Sequence, residues 1–288
     1  MEVPSKERNN RLSRFPGTKD SEVRKRGLDH LDSPSQKESP SKIPTIFKPL
    51  SKEATNPWKR YIKSFKINQA GSGYVVHATN PTFQEGIIKS TKTPRSELSK
   101  IIAKHHQRNI VHIQEAFYHE GQMFFLYELL DVSLGQIFGS PLGRLKLFEV
   151  AAFSKEILTG LEYIHQTLKI SHGNIESGNI LLSVNGQIKI GTSMLDNKDD
   201  SYSQDDVRAI GQIIVECLEP RAFLQGGSLS ETWPQDISEF VEFTKIQSAQ
   251  RLLKHDFLNK SPGSSCLKPY IRFAREAGAK EIEFGENI

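Results

Sequence analysis

Four runs of the chain, 61–67 (YIKSFKI), 73–79 (GYVVHAT), 85–90 (EGIIKS) and 123–130 (MFFLYELL), are apolar, rich in β-branched and aromatic side chains and separated by polar turns. Such side chains suit a pleated, half-buried surface, so the runs predict strands of a mostly antiparallel sheet. Between the third and fourth runs, Thr93 can cap a helix whose first position is Pro94, where a missing N–H is no loss. Leu98, Ile101, Ile102 and His105 then share one face at helical spacing.

After Leu134 the period lengthens. Residues 145–165 (LKLFEVAAFSKEILTGLEYIH) read as a long amphipathic helix, and 205–219 (DDVRAIGQIIVECLE) are apolar nearly all round, as a central buried helix requires. Between them, NILLSV (179–184) and QIKIG (187–191) are two short β runs joined by Asn185-Gly186, a strong two-residue hairpin signal. The order predicts an α+β chain: a small sheet-rich lobe, 58–130, then a larger helical lobe, 131–260. The tail 261–288 contains KPYIRFAREAGAKEIEF, a basic amphipathic helix in which packing against the large lobe is the expected fate of Tyr270, Ile271 and Phe273.

Composition changes the picture mainly at the front. Residues 1–57 are rich in Ser, Pro, Lys, Arg and Glu and poor in large apolar side chains, so they cannot bury enough surface to offset chain entropy and are expected to be disordered. Ser33-Pro34 and Ser39-Pro40 fit proline-directed phosphorylation, and Arg24-Lys25-Arg26 fits a nuclear address; a solvated tail is the plainer account of both. The whole chain is 36% hydrophobic, enough for a core once that polar flank is set aside. A net charge of +4, with no interleaving of basic and aromatic residues, argues against a nucleic-acid groove. There is no apolar h-region at the N-terminus and no apolar run near the ~18 residues that span a bilayer, so neither secretion nor membrane insertion is expected. Cys217 and Cys266 are too few to staple the domain and lie far from any His cluster. Free thiols in a reducing, cytoplasmic or nuclear compartment are expected.

From about Trp58 to Leu258, four strings in this order resemble the eukaryotic protein kinases, most closely the PAK-type serine/threonine kinases. INQAGSGYVVHAT (67–79) is similar to the phosphate-covering loop and its strand, and GIIKS (86–90) to the strand carrying the nucleotide-positioning lysine. EILTGLEYIHQTLKISHGNIESGNILLSVNGQIKI (156–190) resembles the helix, catalytic loop and hairpin, and SAQRLLKHDFL (248–258) the last helix of the domain. The resemblance implies a two-lobed kinase fold, with Asp206 as the buried acid at the start of the central helix.

It also implies lost chemistry. Where the family has His-Arg-Asp the chain has His172, Gly173 and Asn174, and a carboxamide is no useful base at neutral pH. Glu176 stands where serine/threonine members place a lysine, and would repel the developing charge. Asn179, the second-metal position, is retained and reads as a loop-closing polar residue. Thr192-Ser193-Met194 replaces Asp-Phe-Gly, so Thr192 takes the place of the main magnesium ligand and is a poor substitute for a carboxylate. The segment that follows is short and polar, without Ala-Pro-Glu, and Ile246 stands where its arginine partner would be.

For the nucleotide, Lys89 matches the phosphate-contacting lysine, with Glu97 as its candidate partner, and Gly73 matches the third loop glycine. Asn68 and Ala70 replace the first two glycines, where side chains hinder backbone approach to phosphate. Ile87 crowds the roof, Leu181 suits the floor, Tyr127 is the gatekeeper, and 128–130, with Glu128 and Leu130, form the hinge. The expectation is weak or absent ATP binding, no magnesium and no resident cofactor. Functionally, a pseudokinase is expected, acting as scaffold or allosteric regulator on other proteins such as an active kinase or signalling component, with neither nucleic acid nor membrane as partner. The alternatives are a weak or atypical ATP-dependent serine/threonine kinase reusing Lys89, His172 and Asn179, or a decaying gene product.

Overall fold

The computed structural model describes residues 56–91, 107–142, 144–191 and 203–281. The helix expected after Thr93-Pro94 lies outside the described residues, as does the polar segment up to position 55. Strands β1 (Tyr61–Asn68), β2 (Ser72–Ala78), β3 (Glu85–Thr91), β4 (Ile113–His119) and β5 (Gln122–Tyr127) form one antiparallel sheet, ordered β1-β2-β3-β5-β4. Val76, Ile88, Phe117 and Leu126 are buried on one of its faces, and Ile113, Met123, Phe125 and Tyr127 in a second cluster that reaches the hinge.

Strand β4 is the one that hydrophobic pattern did not announce, because Gln114 and Glu115 interrupt its apolar run. Glu115 is used: its carboxylate accepts from the Arg60 guanidinium and from the Tyr61 hydroxyl at 3.3 Å, joining β4 to the start of β1. The two-residue hairpin also lies here and not where it was expected. His119 pairs with Gln122, and both Glu120 (φ 49°) and Gly121 (φ 76°) adopt the left-handed conformation that a type I′ turn needs.

The second sheet comprises β6 (Val132–Ser133), β7 (Ile180–Leu182) and β8 (Ile188–Ile190). The β7–β8 turn corrects the reading of Asn185-Gly186 as a two-residue loop. Ser183 N–H donates to Gln187 O at 3.0 Å and Gly186 N–H to Ser183 O at 2.8 Å, and of the two central residues only Gly186 (φ 86°) is left-handed. Val184 is held out of the ladder by a tertiary contact, its N–H donating to Asp131 Oδ2 at 2.7 Å.

The helical lobe carries α1 (Leu134–Phe138), α2 (Leu147–Tyr163), α3 (Ser203–Leu218), α4 (Pro220–Leu224), α5 (Gln235–Phe243), α6 (Ala249–Leu252) and α7 (Lys268–Glu281). Val150, Phe153, Leu158 and Leu161 of α2 share one core with Ile210, Ile213 and Ile214 of α3, Phe240 of α5, and Phe257. Each such side chain removed from water contributes roughly 1.5–3 kcal/mol, which makes the crossing of α2 and α3 the foundation of the lobe. The structure is therefore the two-lobed α+β fold that the pattern predicts and the resemblance to the kinases implies.

Leu267, Ile271 and Ala274 also enter this core, so the tail packs against the large lobe. They recur at intervals of four and three residues, one turn apart, which places Phe273 on the opposite side of α7, where it is 37% exposed instead of packed.

Candidate functional site

The site begins with a buried carboxylate. Asp206, in the first turn of α3 and 2% exposed, accepts from His172 N–H (2.7 Å), from Gly173 N–H (2.7 Å) and from His165 Nε2 (2.9 Å). Two of the three donors are backbone N–H groups that fix the start of the loop 172–179 against the helix, in a dry setting where such charge-assisted bonds are strong. His172 extends the chain of bonds: its Nε2 donates to Gly191 O at 2.8 Å, while its Nδ1 accepts from Asn174 N–H at 3.3 Å. Donating at one nitrogen and accepting at the other is the pattern of a neutral ring, and burial holds its pKa below the ordinary histidine value.

Asn179 closes the loop, its Nδ2 donating to Asn174 O at 3.1 Å, and its own carbonyl accepts from Gly191 N–H at 2.7 Å. Asn174 is exposed at the rim. Beside it, Glu176 is exposed and Glu216 Oε1 accepts from Ser177 Oγ at 2.8 Å. Burial, reinforced by Glu176, raises the Glu216 pKa, with the Ser177 bond acting in the opposite sense. The rim of this loop therefore carries acids and an amide, at positions where the family it resembles places a base and a lysine. Among the described residues no group of three or more His, Cys, Asp or Glu is placed to hold a metal ion. Thr192 lies outside the described residues.

Across the cleft, β1 and β2 meet at a turn, with Asn68 paired to Ser72 and Gly71 N–H donating to Asn68 Oδ1 at 3.2 Å. Gly73 follows within β2. A Cβ there would stand 2.6 Å from Ile87 Cγ2 and 2.9 Å from Lys89 Cγ, so the glycine lets β2 lie close over β3 and over the lysine stem. The turn points inward. Gln69 is 8% exposed, and its carboxamide faces the hinge: Nε2 donates to Leu130 O at 2.9 Å and Oε1 accepts from Leu130 N–H at 3.3 Å. Ala70, 5% exposed at φ 50°, packs in one cluster with Leu130, Tyr127 and Leu181.

Lys89 donates to Gln69 O at 2.7 Å and to Ala70 O at 2.6 Å, and its ammonium lies 5.0 Å from the centre of the Tyr127 ring. Withdrawal from water lowers its pKa from 10.5 to about 8. Glu97, its expected partner, lies outside the described residues. Glu128 is tied to its neighbours by its side chain, Oε1 accepting from His112 N–H (2.7 Å) and from Lys189 Nζ (2.6 Å). Ile87 is fully buried between Val75 and Tyr127 in the sheet.

The structure thus brings Lys89, Leu130 and Leu181 together around one cleft, and His172, Asn174 and Asn179 around one loop. Sequence reasoning missed Gln69, Gly191 and Lys189. A glutamine between Asn68 and Ala70 gives no linear sign that its amide reaches a hinge 61 residues away. Gly191 matters for what it lacks: a Cβ there would overlap the Ala70 Cβ and stand 3.0 Å from Asn179 O. The only hint was its place just ahead of Thr192.

Comparison with known proteins agrees with this geometry. Residues 72–192 match the protein kinase domain, a shorter stretch than the resemblance read from the residues. The serine/threonine-protein kinase shk1/pak1 of Schizosaccharomyces pombe is 31% identical over 144 residues, covering 47% of this chain and 21% of that protein. The serine/threonine-protein kinase STE20 of Kluyveromyces lactis is 32% identical over 146 residues, covering 47% of this chain and 14% of that one. The cysteine-rich receptor-like protein kinase 46 of Arabidopsis thaliana is 32% identical over 149 residues, with 48% and 23% covered. The matched stretch is thus under a quarter of each relative. Fold, site geometry and similarity converge: the chain has the two-lobed protein kinase fold, and its kinase-domain stretch is homologous to the PAK/STE20-type serine/threonine kinases.

Proposed function

We propose that the chain is a pseudokinase, a kinase-like domain that serves intracellular signalling as a scaffold or allosteric regulator of other proteins, in the cytoplasm or nucleus. One observation carries this reading: the loop 172–179 is anchored at its start by Asp206 and closed by Asn179, yet the side chain exposed at its third position is the carboxamide of Asn174. Phosphoryl transfer asks the protein for positioning and for electrostatics, a carboxylate for the hydroxyl and acids for magnesium. Positioning without those groups suits a binding surface better than a catalyst. Losing base and metal ligand together is expected to cost several orders of magnitude in rate.

The competing reading, a weak or atypical serine/threonine kinase, draws on the retained Lys89 and Asn179. The test is transfer of radiolabelled phosphate from ATP with magnesium to the chain itself and to a generic acceptor protein. No incorporation above that of a Lys89→Ala variant is expected. Turnover that disappears on Lys89→Ala would establish an enzyme instead.

A further inference from the structure

We propose that the cleft between the lobes has a resident ligand, the chain's own β1–β2 turn, with the Gln69 carboxamide occupying the hinge edge that a flat heterocycle such as adenine would need. The inference rests on the preceding section only in identifying the cleft as a nucleotide-type site.

Three contacts act at separate points. At the hinge, Leu130 offers an N–H and a C=O side by side, and the carboxamide of Gln69 answers both, at 3.3 and 2.9 Å. A planar group with one donor and one acceptor is the chemistry by which a heterocycle would bind this edge. On the floor, the Ala70 methyl lies in the cluster of Leu181, Tyr127 and Leu130. At the far end, the Lys89 ammonium grips the carbonyls of Gln69 and Ala70, where a phosphate would otherwise be its partner.

The inward turn is not the cheap conformation. Ala70 at φ 50° sits in the left-handed region, where its Cβ crowds the backbone. Carrying Gln69 and Ala70 out of water is therefore sustained by the bonds at the hinge and lysine and by the apolar floor. The opposite wall is shaped to admit the turn, because Gly191 supplies no Cβ where the Ala70 methyl comes to rest. As arranged, the cleft does not fit an adenine nucleotide: hinge edge, floor and lysine are all engaged within the chain. A tethered ligand competes at an effective concentration in the millimolar range. A free ligand therefore sees its affinity reduced by the fraction of time the turn is out.

The test uses the full chain and its Gln69→Ala variant, with two readouts: hydrogen exchange at the Leu130 amide, and calorimetric titration with ADP in the absence of magnesium. Gly191→Ala, whose backbone conformation accepts alanine, serves as a second opening variant acting from the opposite wall. Leu130 is expected to be protected in the wild type and to exchange at least about tenfold faster in Gln69→Ala, with ADP affinity raised about tenfold or more in both variants. Wild-type protein that binds ADP as tightly as the variants overturns the proposal. So does Leu130 exchange that Gln69→Ala leaves unchanged. If no form binds ADP, the exchange result decides: faster exchange upholds the resident turn, unchanged exchange refutes it. Neither readout involves phosphoryl transfer, so radiolabelled incorporation can fail or succeed independently.

Discussion

Asp206 and Lys89 are both charged side chains drawn out of water, one in each lobe, and they are satisfied in opposite ways. Asp206 meets three donors, two of them backbone N–H groups of the loop it anchors. Lys89 meets two carbonyl oxygens of the turn folded over it and, among the described residues, no carboxylate. The acid holds backbone in place, a task independent of whether any reaction occurs. The lysine belongs to a site whose ligand has a substitute inside the chain. A kinase-like scaffold can therefore keep one charge that builds the loop while another grips its own polypeptide.

The sharpest way to break this contrast is Asp206→Ala. It orphans two backbone N–H groups and the His165 ring in the core of the lobe, and a loss of about 3–5 kcal/mol is expected in urea denaturation. A loss below 1 kcal/mol would mean that the loop is held by something other than this carboxylate.

Next comes the pH dependence of Lys89. Its folded pKa, about 8, lies below the 10.5 of the unfolded chain, so between those values the unfolded state retains a proton that the folded state has released. Stability from this group consequently rises as pH climbs from 8 to 10.5, by on the order of 3 kcal/mol. Tyr61, Cys217 and Cys266 are raised and act in the opposite sense at high pH, so the quantity to measure is the difference between wild type and Lys89→Met. Wild-type stability should gain on Lys89→Met across that window in denaturation curves taken at several pH values. A flat difference would place the ammonium in water and sever it from the carbonyls.

The smallest effect is expected where α7 touches the hinge side of the cleft. Arg275 reaches Asp131 Oδ1 at 3.1 Å but is half exposed, and Asp131 keeps its bond to Val184 without it. Arg275→Ala should cost less than about 1 kcal/mol and leave ADP titration unchanged. A change in ADP affinity would make the C-terminal helix part of the cleft's control.

Much of this was legible along the chain. The apolar periods of β1, β2, β3, β5, α2 and α3 are local properties, and Asn174, Glu176 and Thr192 stand out as replacements once the resemblance to the kinases is drawn. Strand β4 was hidden because Glu115 looks like a turn residue until Arg60 and Tyr61 arrive beside it. The Asn185-Gly186 turn was misread because Asp131, 53 residues away, captures Val184. Gln69 was passed over because a carboxamide carries no signature of the edge it will bond.

Composition and spacing by themselves determined the lobes and the buried helices, and the resemblance to the kinases marked Asn174 and Thr192 as replacements, since each depends on the identity of a residue or its near neighbours. Only the tertiary structure decided that the β1–β2 turn enters the cleft, that Lys89 closes on Gln69 and Ala70, and that Gly191 leaves them room. Those outcomes depend on the meeting of groups far apart in the chain, where the free energy lies in the fit between surfaces and not in either surface alone.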